Sequence, residues 1–503
     1  MILSRVTPDA LPIVTGTVQA LDNQWLPRRM LRRMLETGES LADVTAEREE
    51  VVKGEFIRAL VNLDAVVVNR ASLLNDAVLN GYCQPEHPEQ EEFRTLFEQG
   101  TVIPFLFKED SPVIASSSYS MEEKNKLAWN QLCSDAKALF CLRLSWDDKE
   151  NASLVHNRIA RGFHERVIAL ASLPDHGALA TEMGLPSGAG DALRRHLYDV
   201  GDRCARTFAE TGRYGTRSTV YDSFLVAGGK DAHLGRYNSA NPLAPAVKEC
   251  VDLIYNTNLP DAIGRYPLTP ADSANRMVLQ EIDSAMAQTA IEPQQVNTLL
   301  RNAVFSLAQD QLCLDGYAKL PIVDVLALRQ GEEWGQYMGA MRRVTQNPTL
   351  FNTPEELQAI YDGYAAVARA ATNRMIGNRR EAWAKKWCPA VKIALDIGGR
   401  TAIEMFYRTD GIWYSISELA SEFIAEKSAP FVARMVIAGS DALSGGPKEQ
   451  ADFDTSLVLW TGKMHHAKKQ FGEIMARIKE NPRFNDSRKD TAPHGSPGMD
   501  QQG

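Results

Sequence analysis

Residues 151–172 read NASLVHNRIARGFHERVIALAS, and within them Val155, Ile159, Phe163, Val167 and Leu170 recur at steps of three and four. That step matches the turn of an α-helix, so the five side chains share one face. Asp148 or Asn151 can cap the start, and Pro174 stops the end. The same reading extends outward. Asp191 to Thr211 repeats the pattern and meets Gly212, and Glu292–Leu312, Pro354–Lys386 and Thr455–Glu480 are further long helices. Thr353, Pro354, Glu355 and Glu356 supply a cap, a first-turn proline and first-turn acids. From Met121 onward the chain therefore reads as helical. The fold class expected is mainly α, a multi-helix protein with a small α/β N-terminal region.

That N-terminal region covers 1–115. Residues 13–18 read as a short strand, Pro27–Glu36 as a basic helix and Ala46–Leu60 as a charged one. Ala65–Val68 is a β-branched run that suits a buried strand, although so short a run also allows helix. Val102–Phe107 reads as a strand, and Pro104 places it at a sheet edge because proline lacks the N–H of a ladder bond. Residues 84–90 form a loop. A helical domain follows over 116–290, interrupted by an irregular glycine-rich segment at 212–268, then a second over 291–480. Residues 481–503, almost without apolar side chains, are expected to be a disordered tail.

The chain has 503 residues, 44% apolar and 24% charged, with a net charge of −9. This balance belongs to a folded globular protein and argues against general adhesion to polyanions, while leaving room for a local basic patch. No apolar run is long enough to span a bilayer, and residues 1–9 lack an export pattern, so a cytoplasmic location without membrane attachment is expected. The seven cysteines are widely spaced with no Cys-x-x-Cys pair, as buried thiols are. No cofactor or metal is expected. Gly228-Gly229-Lys230 is followed by Asp231 and not by Ser or Thr, His465 and His466 diverge on a helix, and Gly188-Ala189-Gly190-Asp191 lacks the upstream residues of a sugar-kinase signature.

Three features could carry function. Gly-Arg-Tyr occurs at 212–214, 235–237 and 264–266. Arg213, Arg236 and Arg265 could fork onto phosphate, and Tyr214, Tyr237 and Tyr266 could stack on bases; alternatively each triplet ends a helix with an amphipathic pair. Second, Arg379, Arg380 and Lys385 lie with Trp383 on a basic helix that could grip a nucleic acid or simply complement its own dipole. Third, Arg158 precedes His164 by a short helical step.

This last spacing resembles the short motif of HEPN-type ribonucleases, an arginine followed a few residues later by a histidine. The resemblance implies an all-helical, metal-independent nuclease in which arginine steadies the phosphate and histidine moves protons. On a regular helix Arg158 and His164 lie about 120° apart. His164 shares its face with Asn157 and Arg161, opposite the apolar stripe, and should be exposed or at an interface. The leading expectation is a cytoplasmic binding or assembly component that contacts a nucleic acid or nucleotide through the Gly-Arg-Tyr surface, with a protein partner or second copy. A ribonuclease and a purely structural helical scaffold are the alternatives.

Overall fold

The computed structural model describes residues 2–21, 30, 33–34, 37–39, 43–107, 111–114, 122–144, 160–173, 176–182, 185, 188–214, 243–270, 282, 317–347 and 354–377. Helix dominates these residues, and one small parallel sheet organises them. Its strands are β1 (Ile2–Val6), β2 (Thr15–Val18), β3 (Ala65–Asn69), β4 (Val102–Phe107), β5 (Ala138–Leu144) and β6 (Tyr266–Leu268). They lie in the order β1-β5-β4-β3-β2-β6, every pair parallel.

A parallel sheet is covered on both faces, so its central strands are mostly apolar. Ala65–Val68 is buried at all four positions for this reason. Strand alternation then divides the side chains between two cores. Val66, Val68, Val102, Leu106, Leu139 and Cys141 face the larger one. Ala65, Val67, Ile103, Phe105 and Leu142 face the smaller. Over the first face lie α1 (Thr45–Asn62), α2 (Arg70–Asn75), α3 (Ala77–Cys83), α4 (Gln90–Glu98) and α5 (Glu123–Asp135).

Three expectations are corrected here. β4 is an interior strand between β3 and β5 and not an edge. A residue's N–H faces only one neighbour, so Pro104 costs the strand one ladder bond; it sits opposite Val68, and the register with β5 begins at Phe105. Residues 138–144 are a strand, not helix; a short apolar run buried on both faces has no periodicity to separate the two. Within the segment expected to be irregular, α9 (Ala244–Asn256), α10 (Asn258–Ile263) and β6 are regular. The sheet thus continues past residue 115.

The step from β1 to β2 is short. These strands are four positions apart, about 19 Å at the usual strand spacing, and only residues 7–14 join them. The strap crosses the second face, where Leu11 packs with Leu259, Ala262 and Ile263 of α10.

Residues within 317–347 and 354–371 share the larger core. Tyr317, Ile322 and Leu328 enter it with α11 (Ile322–Arg329), Tyr337, Met341 and Val344 with α12 (Glu332–Gln346), and Tyr364, Val367 and Ala371 with α13 (Pro354–Gly377). A Cβ on Gly363 would meet the Tyr337 Cα at 2.9 Å, so only glycine lets α12 and α13 approach this closely.

A separate core joins α6 (Arg161–Ala171), α7 (His176–Glu182), α8 (Gly190–Thr211) and α9. Phe163, Val167 and Leu170 are buried there, as their spacing requires. α8 ends at Gly212 with φ 66°, the left-handed cap expected of glycine. Gly190 is a packing residue: a Cβ there would lie 2.8 Å from the Gly177 backbone. Among the described residues no helix is long and apolar enough to cross a membrane. The helices expected at 292–312 and 455–480 and the tail at 481–503 lie outside the described residues, as does most of the one at 27–36.

Candidate functional site at the carboxyl edge of the sheet

β4 is followed by α5 on the first face, and α10, which precedes β6, packs on the second. The carboxyl edge of an open parallel sheet is the usual ligand position in α/β proteins.

The described groups beside this edge are polar. Asn69 ends β3 and is exposed. Arg70 is buried, and its Nη1 donates to the Ser111 and Pro112 carbonyls at 3.1 and 3.0 Å, which ties down the residues after β4. Trp129 Nε1 donates to the same Pro112 oxygen at 2.8 Å. Arg48 stands in the first turn of α1, after β2. Its Nη2 approaches Asp76 Oδ2 at 3.8 Å, too long for a hydrogen bond. Asp76 Oδ1 caps α3 by accepting from the Val78 and Leu79 amides at 3.0 and 3.2 Å. Asp76 Oδ2 and Arg48 Nε are buried without hydrogen-bond partners. Burial raises the Asp76 pKa above the usual carboxylate value, against the two amides and Arg48. A buried polar atom left unpaired costs about 1–3 kcal/mol unless something else binds it.

Of the residues singled out in the sequence, Arg158, Arg236, Tyr237, Arg379, Arg380, Trp383 and Lys385 lie outside the described residues. Arg265 and Tyr266 belong to the fold. The Arg265 guanidinium donates to the carbonyls of Pro8, Leu11, Pro12, Ile263 and Gly264, and Tyr266 is a buried β6 residue. Arg213 is exposed after the Gly212 cap, and Tyr214 stacks on Phe208 with ring centroids 4.4 Å apart.

His164 corrects an expectation: it is only 9% exposed. Tyr214 folds back beyond Gly212, and its ring and that of Phe208 lie 5.2 and 6.4 Å from the imidazole. Arg161, on the same face, pairs with Glu165 at 2.7 Å. His164 Nε2 has no hydrogen-bond partner, and burial lowers the imidazole pKa. The folded chain therefore keeps this ring neutral where the unfolded chain takes up a proton, below about pH 6.5. The stabilisation is present above that pH and is lost as pH falls through it. In urea unfolding, His164→Phe should lessen the loss of stability between about pH 7.5 and 5.5; His87, also lowered by burial, leaves a residue of it. An unchanged pH dependence would show that the His164 ring titrates normally.

Sequence reasoning passed over Arg48, Asn69, Arg70 and Asp76. The usable signal was Asn69-Arg70 directly after a β-branched run, because polar residues at the carboxyl end of a parallel strand face the ligand edge. Among the described residues no cluster of His, Cys, Asp and Glu could hold a metal ion. Compared with protein-family models, curated proteins and solved structures, the chain matches none.

Proposed function

We propose that the chain is a binding and assembly component that holds a nucleotide, or the end of a nucleic acid, at the carboxyl edge of its parallel sheet. One observation carries this reading. Arg48 Nε and Asp76 Oδ2, beside that edge, have no hydrogen-bond partners, and the two side chains approach each other only as a 3.8 Å ion pair. Arg48 suits a phosphate oxygen and Asp76 a ribose hydroxyl or an exocyclic amine. The choice of edge rests on analogy with other open α/β sheets.

The test is a titration with nucleoside mono-, di- and triphosphates, followed by thermal unfolding. A ligand at about a hundred times its Kd adds about 2.7 kcal/mol. Asp76→Asn keeps the helix cap, since Asn caps as well as Asp, and should weaken binding about tenfold or more. Arg48→Met should do the same. No response to any nucleotide would leave the scaffold reading in place.

A ribonuclease is a second reading, favoured by the unpartnered Nε2 of His164. It requires that His164→Ala abolish RNA cleavage and that cleavage survive a chelator. Because His164 packs against the stacked Phe208 and Tyr214 rings, that variant should also lose about 1–2 kcal/mol of stability. Cleavage unchanged in the variant would remove His164 from consideration.

A further inference from the structure

Helix α8 carries two apolar stripes. Leu193, Leu197, Val200 and Cys204 form the first and are buried in the core shared with α6, α7 and α9. The second lies beside it in solvent. Tyr198 is 44% exposed and Phe208 39%, with Ala205 and Ala209 exposed between and beyond them. At about 100° per residue these four fall within about 100° of one another. Ile168 of α6, packed over Gly201, widens the stripe and is 38% exposed. Three of the six large apolar side chains exposed among the described residues are therefore on this one face. Such concentration marks an interaction surface, where scattered exposure would not.

The flanking charges say what covers it. On α8, Arg194, Arg195, Arg203 and Arg206 are balanced by Asp191, Asp199, Asp202 and Glu210. That leaves no excess for a polyanion. Neither α6 nor α8 contains lysine, and arginine and aromatic residues without lysine are the composition of protein interfaces.

We propose that this face joins two copies of the chain through an antiparallel α8–α8 pair. A neutral face of mixed charges can complement itself, which a two-fold contact requires. A register centred between Tyr198 and Asp199 sets Asp191 opposite Arg206 of the second copy, and Arg195 opposite its Asp202. All four positions lie within about 60° on the same side of the helix. Arg206 already bonds Asp202 at 2.6 Å within its own helix, so association gathers these charges into a network across the two-fold axis. Tyr198 meets its counterpart at the centre, its ring held under the Arg194 guanidinium at 5.6 Å. Phe208, stacked on Tyr214, reaches the start of the second α8. At 22 residues the helix is about 33 Å long, and α6 beside it extends the face. The inference is independent of the ligand reading.

The experiment is sedimentation velocity on the full chain over a wide concentration range. The wild-type chain should dimerise. Tyr198→Glu should weaken self-association at least tenfold and leave the unfolding midpoint unchanged at dilutions where both chains are monomeric, because Tyr198 is exposed. Arg195→Glu should also weaken it, and adding Asp202→Arg should restore it by reversing the pair. A chain monomeric throughout, a dimer indifferent to Tyr198→Glu, or a double variant no tighter than Arg195→Glu overturns the proposal. A monomer that binds another protein or an RNA through Tyr198 would give the face to that partner instead.

Discussion

Arg329→Met is expected to lower the unfolding free energy by about 3–5 kcal/mol, because one half-buried charged donor group loses its bonds to three carbonyls at about 1.5–3 kcal/mol each, less than additively. The C-terminal carbonyls of α1 have no partners within their own helix. Arg329 supplies them: Nη1 donates to the Leu60 oxygen and, at 2.7 Å, to that of Leu63, and Nη2 donates to the Asp64 oxygen at 2.6 Å. Trp334 Nε1 takes the Val61 carbonyl at 2.8 Å, and its ring lies 4.4 Å from the Arg329 guanidinium. A cation at a helix C-terminus also meets the negative end of the dipole. Burial lowers the Arg329 pKa to about 10, although Asp64 opposes the shift, so the charge persists at neutral pH. Methionine keeps the apolar stem and removes only the donors. Urea unfolding of the variant beside Arg342→Ala gives the contrast. Arg342 also reaches Asp64, at 3.0 Å from Nε, but its side chain is 47% exposed, so its loss should cost about 1 kcal/mol or less. Equal effects from the two variants would mean that the α1 carbonyls find other partners.

Arg265→Met should be nearly as costly, about 3 kcal/mol, because hydrogen bonds to a charged donor contribute about 1.5–3 kcal/mol each and act here as one unit. Its guanidinium is what fixes the 7–14 strap to the turn before β6. The bonds to Leu11, Pro12 and Pro8 oxygens measure 2.7, 3.0 and 3.3 Å. Lysine should not rescue, since a single ammonium cannot span carbonyls that Arg265 reaches with three nitrogens. Hydrogen exchange should locate the damage at residues 7–12. A variant as stable as wild type, with those amides still protected, would show that Leu11 and the second core hold the strap alone.

These two arginines show where sequence reading stops. Helical periodicity was enough for α6 and α8, whose apolar residues recur every three or four positions and whose ends carry Pro174 and Gly212. β3 was legible because four β-branched or small apolar residues leave no polar face. β5 and β6 were not. Leu139 to Leu142 shows no alternation when both faces are buried, and three residues of β6 fall below any pattern. Pro104 misled because the rule against central prolines assumes that every N–H is needed. The site was hidden for a related reason. Arg48 and Asp76 are 28 positions apart in sequence, and only the parallel β2–α1–β3 connection brings them together. The Gly-Arg-Tyr triplets looked equivalent as strings, yet Gly264 precedes a strap-pinning arginine while Gly212 caps a helix.

The most direct measurement is hydrogen–deuterium exchange of the full chain with and without a nucleoside triphosphate. A ligand at the carboxyl edge predicts slower exchange in residues 45–50 and 69–79, around Arg48, Asn69 and Asp76, and loss of that protection in Asp76→Asn. Protection confined to residues 160–214, around His164 and Tyr214, or no change anywhere in the chain, would contradict it.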